Sequence, residues 1–178
     1  MEKPTILTMP MHEGATFSWI MPDWVKLAIA DALIVFGRLE QEIIEIAWLL
    51  KDADVKEKVK TARAPASENF QGILGVMEEQ HGSKFDGLRT AFDKLSTDRN
   101  LMALGCWVLI DGVKPWVVWH KFIQDDASVI GEYFEVHRFD NFMKKADHLL
   151  DMCKKYHRML EEALGKTTSA LTRLPLDK

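Results

Sequence analysis

Apolar residues recur at helical spacing along most of this chain, with charged residues between them. From Asp23 to about Lys51 the apolar positions repeat every three or four residues, which predicts a helix of about eight turns. Pro22 and Asp23 suit its first turn, because proline needs no partner for a missing N–H there and an acidic side chain favours the positive end of a helix. The charged stretch from Lys51 to Ala64 predicts a turn and a short solvated helix.

Two further helical segments are predicted in the middle of the chain. The first covers Glu68–Gln80, with Ser67 as its N-terminal cap, and the second covers Asp86–Ile110. The second segment finishes in an almost unbroken apolar run from Leu101 to Ile110, which we interpret as a buried end of the helix. The residues Asp111–Pro115 then form a strong stop and turn signal.

The pattern changes again after this turn. Trp116–Phe122 and Val129–Val136 are rich in aromatic and β-branched residues, which predicts a β-hairpin. Arg138–Leu164 has the period of an amphipathic helix, and Gly165 is a suitable stop. The predicted fold class is therefore all-α: an antiparallel bundle of about four to five helices with a small β-hairpin inserted before the C-terminal helix.

The length of 178 residues suits one domain with a sizeable core. We predict a single domain over residues 1–178, made of an irregular N-terminal arm (1–21), a helical body (22–165) and a loose tail (166–178). The apolar side chains of the arm that we expect to dock on the body are Phe17, Trp19 and Ile20.

Composition narrows the classes of function. Apolar residues make up 47% and charged residues 28%, and the net charge of −4 argues against general binding to nucleic acid while allowing a local basic patch. No apolar run approaches the roughly 18 residues of a membrane span, so we expect no membrane association. Pro4 and Pro10 interrupt the N-terminal region, so we expect no signal peptide and a cytoplasmic location. Cys106 and Cys153 lie in apolar patterns and are expected to be buried thiols.

Motifs for metals and nucleotides are missing. The sequence has no HxxxH, HExxH, GxGxxG or P-loop motif, and Glu78-x-x-His81 occurs once where a di-iron bundle needs two such pairs. We therefore expect no metal, no cofactor and histidines that are solvated or cap helices. The six histidines are His12, His81, His120, His137, His148 and His157.

Arg99-Asn100 is the one charged and polar pair at the head of the long apolar run. An isolated charge is costly to bury, so such an arginine usually faces a partner, a groove or a phosphate. Two interpretations stay open. In the structural one, Arg99 pairs within the chain, and in the functional one it contacts an anion. The acidic side chains considered for the structural interpretation are Asp98, Asp93 and Glu40.

The segment Arg99–Gly105 resembles the signature of the HEPN superfamily, whose common form is Arg-Asn-x-x-Ala-His-Gly. The chain matches it at Arg99, Asn100, Ala103 and Gly105, and the order of its helices also looks like that family over about Asp23–Gly165. The resemblance implies a HEPN-like domain whose homodimer joins two motifs in a cleft through the Arg99 helix. It also implies, as in many members, a metal-independent endoribonuclease of toxin–antitoxin or other defence systems, in which the His moves a proton at the RNA 2′-hydroxyl and the Arg steadies the phosphate.

The chain departs from that pattern at position 104, where Leu replaces the His. Leucine cannot transfer a proton, and general acid–base catalysis contributes roughly 10²–10⁴-fold to rate. We therefore favour a HEPN-like dimer that binds RNA or an antitoxin-like protein partner without cutting RNA, using Arg99 and Asn100 as its anion-contacting residues. The alternatives are an endoribonuclease, with residual activity or active once His is restored, and a structural helical bundle with no nucleic-acid role.

Overall fold

The computed structural model describes residues 16–112, 114–123 and 126–165, and within 119–130 it describes the backbone alone. The predicted tail (166–178) and residues 1–15 of the predicted arm, with His12, lie outside these ranges. The described residues form two compact units. The first is drawn from Met1–Gly37 and Thr90–Asp147, and the second from Arg38–Arg89 and His148–Lys178. The single domain expected over 1–178 stays a prediction.

Most of the described residues are helical, as the periodicity predicts. The five helices of the described ranges are α1 (Asp23–Leu50), α2 (Val55–Arg63), α3 (Ala66–His81), α4 (Asp86–Leu104) and α5 (Val136–Ala163). Their ends follow local chemistry: Oδ1 of Asp54 accepts a hydrogen bond from the backbone N–H of Glu57 at 2.8 Å, and Gly82 ends α3 in the left-handed region. The prediction that Ser67 caps α3 is wrong, because that helix begins at Ala66, directly after Pro65.

A four-stranded antiparallel sheet replaces the single predicted hairpin. Its strands, in spatial order, are β1 (Phe17–Ser18), β2 (Cys106–Ile110), β3 (Lys114–Ile123) and β4 (Asp126–Tyr133). β3 and β4 pair in antiparallel register, with Trp116 opposite Tyr133, in the region where two strands were expected. The sheet is larger than the expected hairpin because β1 and β2 were not predicted as strands.

The helix predicted over Asp86–Ile110 extends too far, because its last five residues form strand β2. α4 ends at Leu104, and Cys106–Ile110 pairs with β3, with Trp107 opposite Val117. A short unbroken apolar run has no period of its own, so it fits a buried helix and a buried strand equally well. Pairing with β3 supplies the backbone hydrogen bonds that decide the matter, and Val108, Leu109 and Ile110 are buried.

Each unit has its own apolar core. In the first, the ring of Phe36 lies 5.8 Å from that of Phe92 and 6.2 Å from that of Phe142. The buried apolar residues of the second unit include Leu39, Ile43, Ile46, Phe70, Ile73, Leu74, Leu149 and Leu150. None of the helices in the described ranges combines the length and apolar character required to cross a membrane.

The docking predicted for the N-terminal arm holds for its backbone only. Phe17 and Ser18 pair with β2 as strand β1, and the backbone N–H of Thr16 donates to Oδ1 of Asp111 at 3.1 Å. Their neighbours Trp19 and Ile20 are 70% and 80% exposed, so the prediction that these side chains pack on the body is wrong. Backbone hydrogen bonds and the buried side chain of Met21, the last residue of the arm, tie down its described end.

Candidate functional site

The motif segment begins beside a largely buried ion pair. Asp98 is 7% exposed, and its Oδ1 lies 2.6 Å from Nη2 of Arg138. Arg138 also contacts Glu132, with Nη1 and Oε1 2.7 Å apart, and its guanidinium lies 4.0 Å from the centre of the Phe134 ring. Burial lowers the pKa of Arg138, but the hydrogen bonds to Glu132 and Asp98 outweigh that effect and raise it overall. The pair therefore joins the last turns of α4 to the first turn of α5 within the first unit.

Arg99 lies half-buried next to Asp98. Its guanidinium carbon is 5.3 Å from the centre of the Phe36 ring, and its Nη1 donates to Oδ1 of Asn100 at 2.9 Å. Phe36 is a core residue, so its ring is a firm support for the arginine. The structure thus brings the two predicted site residues, Arg99 and Asn100, into direct contact. Asp98, one of the carboxylates considered as a partner for Arg99, is engaged by Arg138.

Leu104 is 80% exposed, which is unusual for a large apolar side chain at the end of a packed helix. Asn100 and Ala103 are exposed as well, and residues three or four apart share one face of a helix. The position that holds His in the HEPN pattern is therefore on the surface, on the same exposed face as Asn100. Nothing chemically reactive occupies it in this chain.

Gly105 has a structural reason to be glycine. A Cβ at this position would overlap Cγ2 of Val117 and lie 2.5 Å from the carbonyl oxygen of Leu101, so the chain leaves α4 through a space with no room for a side chain. The backbone N–H of Gly105 donates to that same carbonyl at 3.0 Å. Packing against β3 therefore accounts for one of the four matches to the family pattern without any reference to function.

Trp107 fixes the end of the motif helix. Its indole N–H donates to the carbonyl oxygen of Met102 at 3.1 Å, which satisfies one of the terminal carbonyls that a helix leaves open. Its ring stacks on Phe139 at 6.1 Å and meets Phe134 edge-on at 5.4 Å. The side chain of Trp107 is therefore partly buried and held by contacts with both α4 and α5.

A cleft of about 360 Å³ opens beside the buried ion pair. Its walls carry both signs of charge, so it offers partners to an anion and to a cation alike. The charged and polar residues that line it are Lys94, Asp98, Glu132, His137, Arg138, Asn141 and Lys145. The sequence contained no signal for this cleft, because Arg138 stands where a helix begins and its two carboxylate partners come from α4 and β4.

The second unit contains a cluster that the sequence did not reveal. Nδ1 of His157 lies 2.5 Å from Oε1 of Glu42, and its Nε2 lies 3.7 Å from Oε1 of Glu161. One ligand atom each from Glu42, Glu45 and His157 lie within 4.8 Å of one another, an arrangement able to hold a metal ion. The expectation of solvated or capping histidines is wrong for His157, whose side chain is 15% exposed.

The two cysteines differ sharply. Cys153 is buried as expected, and burial together with the nearby charge of Glu42 raises the pKa of its thiol to about 12. The prediction of a buried thiol is wrong for Cys106, which is an exposed free thiol at the start of β2. Cys106 shares one face of the sheet with Val108 and Ile110, which are buried, so its exposure comes from its place as the first residue of the strand and not from that face.

Comparisons with protein-family models, with curated protein sequences and with solved structures found no match for this chain. The HEPN resemblance therefore rests on Arg99, Asn100, Ala103, Gly105 and the order of the helices, and it stays a prediction. The contacts of the Arg99 segment and of the His157 cluster do not depend on it.

Proposed function

We propose that this protein is a HEPN-like homodimer that binds RNA at the exposed end of α4 without cutting it, as a cytoplasmic component of a defence or toxin–antitoxin system. The observation that carries the proposal is Leu104, which is 80% exposed in the position where the family pattern places its proton-transfer His. A side chain in this position can contact a ligand. Leucine can pack against that ligand, but it cannot transfer a proton to or from it. Asn100 shares the exposed face, and Arg99 lies beside Asn100.

The chemistry of Arg99 suits a phosphate. A guanidinium is planar and carries its N–H donors in a fixed fork, which matches two oxygens of one phosphate group. Its contacts with Phe36 and Asn100 orient it before any ligand arrives, and this lowers the entropy lost on binding. The net charge of −4 means that RNA binding is local and depends on few phosphate contacts.

Self-association through α4 is the second part of the proposal. Leu104 and Ala103 form an exposed apolar end on this helix, and a two-fold axis beside it would place both copies of this end along one shared cleft that stays open to RNA. The same axis would bring two Arg99 side chains to one cleft. The alternative partner for this surface is an antitoxin-like protein, which would cover the end of α4 in place of a second copy of the chain.

The binding proposal is tested by fluorescence anisotropy with a labelled single-stranded RNA and by sedimentation. We expect a dimer that binds RNA without cleaving it, and a loss of affinity in Arg99→Ala and Asn100→Ala. The matched control is Arg158→Ala, which removes an exposed arginine of α5. No measurable RNA binding would contradict the proposal. Cleavage of RNA by the parent that is lost in Arg99→Ala would show instead that the protein is an endoribonuclease.

The endoribonuclease alternative has one observation in its favour. Because position 104 is exposed, a His there would be accessible to substrate near Arg99. The test is Leu104→His expressed in a bacterial host, with Leu104→Gln as a control that adds polarity without an imidazole. Growth arrest with RNA decay in the His variant alone would support a nuclease scaffold, and no effect on growth or RNA would exclude it.

A further inference from the structure

Four polar side chains of the second unit meet between α1 and α5. Glu42 and Glu45 are one helical turn apart on α1, and His157 and Glu161 are one turn apart on α5. The side chains of Glu42, His157 and Glu161 are 14–15% exposed, so the cluster is largely shielded from water. It shares no residue with the Arg99 segment, so a role for this cluster does not depend on the proposed function.

Two carboxylates of this cluster, those of Glu42 and Glu45, lie close to one imidazole. Half-buried carboxylates this close together repel one another, and a cation between them relieves that repulsion. Both ring nitrogens of His157 face a carboxylate, at 2.5 Å for Glu42 and 3.7 Å for Glu161. A neutral ring carries a single N–H, so one of the two carboxylates then faces a lone pair. A metal ion on that lone pair would give both nitrogens a favourable partner.

We propose that Glu42, Glu45 and His157 form a binding site for a divalent transition-metal ion. In this arrangement Nδ1 of His157 binds the metal and Nε2–H points to Glu161, which holds the ring in the required tautomer and orientation. Two ligands about 2.1 Å from one ion are at most about 4.2 Å apart. The ligand atoms lie within 4.8 Å of one another, and Nδ1 of His157 and Oε1 of Glu42, which are 2.5 Å apart, separate by side-chain rotation when an ion enters between them.

The donor set selects the class of metal. One imidazole with carboxylates suits Zn²⁺, Mn²⁺ or Fe²⁺, whereas Mg²⁺ and Ca²⁺ are bound by oxygen ligands alone. Three protein ligands leave at least one coordination position for water or another small ligand. Because the ligands come from two helices whose residues are 115 positions apart, the ion would also join α1 to α5 within the second unit.

Isothermal titration of the full chain with Zn²⁺, after removal of metals by dialysis against chelator, tests the site. We expect saturable binding of about one ion per chain. His157→Gln removes the nitrogen ligand and should weaken binding by at least about 10-fold, and Glu161→Gln should weaken it by about 10–100-fold through loss of the orienting contact. His148→Gln, an exposed histidine of α5, is the matched control and should bind Zn²⁺ as the parent does. All titrations are made with Cys106→Ser as the parent, because an exposed thiol also binds zinc.

Three results would overturn the proposal: no saturable binding of Zn²⁺, Mn²⁺ or Fe²⁺, equal affinity in His157→Gln and the parent, or equal affinity for Mg²⁺ and Zn²⁺. If the His157→Gln variant fails to fold, Glu45→Gln takes its place in the titration. This variant removes a carboxylate that accepts a hydrogen bond from the exposed Gln41. Unchanged Zn²⁺ affinity in that variant would exclude Glu45 and, with it, the proposed ligand set.

Discussion

Oδ1 of Asp98 and Nη2 of Arg138 lie 2.6 Å apart and join two helices whose paired residues are 40 positions distant in the chain. Asp98 directly precedes Arg99, so this ion pair sets the position of the motif at the end of α4. Its side chains are 10% and 23% exposed, and the contact is thus shielded from solvent far more than an ordinary surface ion pair.

Arg138→Met should destabilise the protein by about 3 kcal/mol, because the variant leaves the buried carboxylate of Asp98 without its cation. Methionine keeps most of the length of the side chain, so the effect reports charge more than volume. Urea denaturation measures it, with Lys144→Ala, an exposed cation of α5, as the control. A stability within about 0.5 kcal/mol of the parent would show that the pair contributes little.

Gly105→Ala should cost about 2–3 kcal/mol, because the added methyl overlaps Val117 and crowds the carbonyl of Leu101. Gly72 is the matched control: it lies exposed inside α3 with nothing within 4 Å of a new Cβ. Gly72→Ala should therefore raise stability by about 0.5–1 kcal/mol, the ordinary helix preference of alanine. Thermal or urea denaturation should show a loss of stability in Gly105→Ala and a gain in Gly72→Ala. Unchanged stability in Gly105→Ala would contradict the close approach of Val117.

The sequence predicts the helices well where polar residues interrupt the apolar ones. The long helix predicted from Asp23 to about Lys51 is α1, and the predicted Arg138–Leu164 is α5 with a start two residues earlier. The prediction of a helix fails over Cys106–Ile110, in the part of the chain where the polar residues have stopped and periodicity carries no information. There the partner strand decides the structure, and no local pattern reveals that partner.

The candidate sites also differ in how far the sequence predicts them. Arg99 and Asn100 are neighbours in the chain, so a local pattern was enough to select them, whereas Asp98–Arg138 and Glu42–His157 join distant segments. Glu42-x-x-Glu45 and His157-x-x-x-Glu161 are each ordinary spacings for a solvated helix face. Only the packing of one helix against the other turns them into a cluster, and packing partners cannot be read from a single sequence.

The two thiols should react at very different rates. Cys106 is exposed and should be modified rapidly by a disulfide reagent at pH 8, whereas Cys153 is buried and its pKa of about 12 leaves almost no thiolate at that pH. We expect one fast thiol per native chain and a second on unfolding in urea. Cys106→Ser should remove the fast phase and leave the second. Two fast thiols in the native protein would show that Cys153 is accessible.

The acid stability of the second unit should depend on Glu78. Its carboxylate accepts from the backbone N–H of Phe85 at 2.9 Å and pairs with Arg89 at 2.8 Å, and these contacts lower the pKa of Glu78 below its ordinary value of 4.5. A carboxyl whose pKa is lower in the folded state stabilises the fold above the unfolded pKa. That stabilisation is lost as the pH falls through the folded pKa.

Glu78→Gln should therefore be less stable than the parent at pH 7, and the difference should shrink as the pH falls from about 5 to about 3. Glu79→Gln is the matched control, because Glu79 is the exposed neighbour on the same helix, and its difference from the parent should stay small at every pH. Urea denaturation at a series of pH values measures both. A difference between Glu78→Gln and the parent that stays constant down to pH 3 would mean that the contacts with Phe85 and Arg89 do not favour the ionised carboxylate.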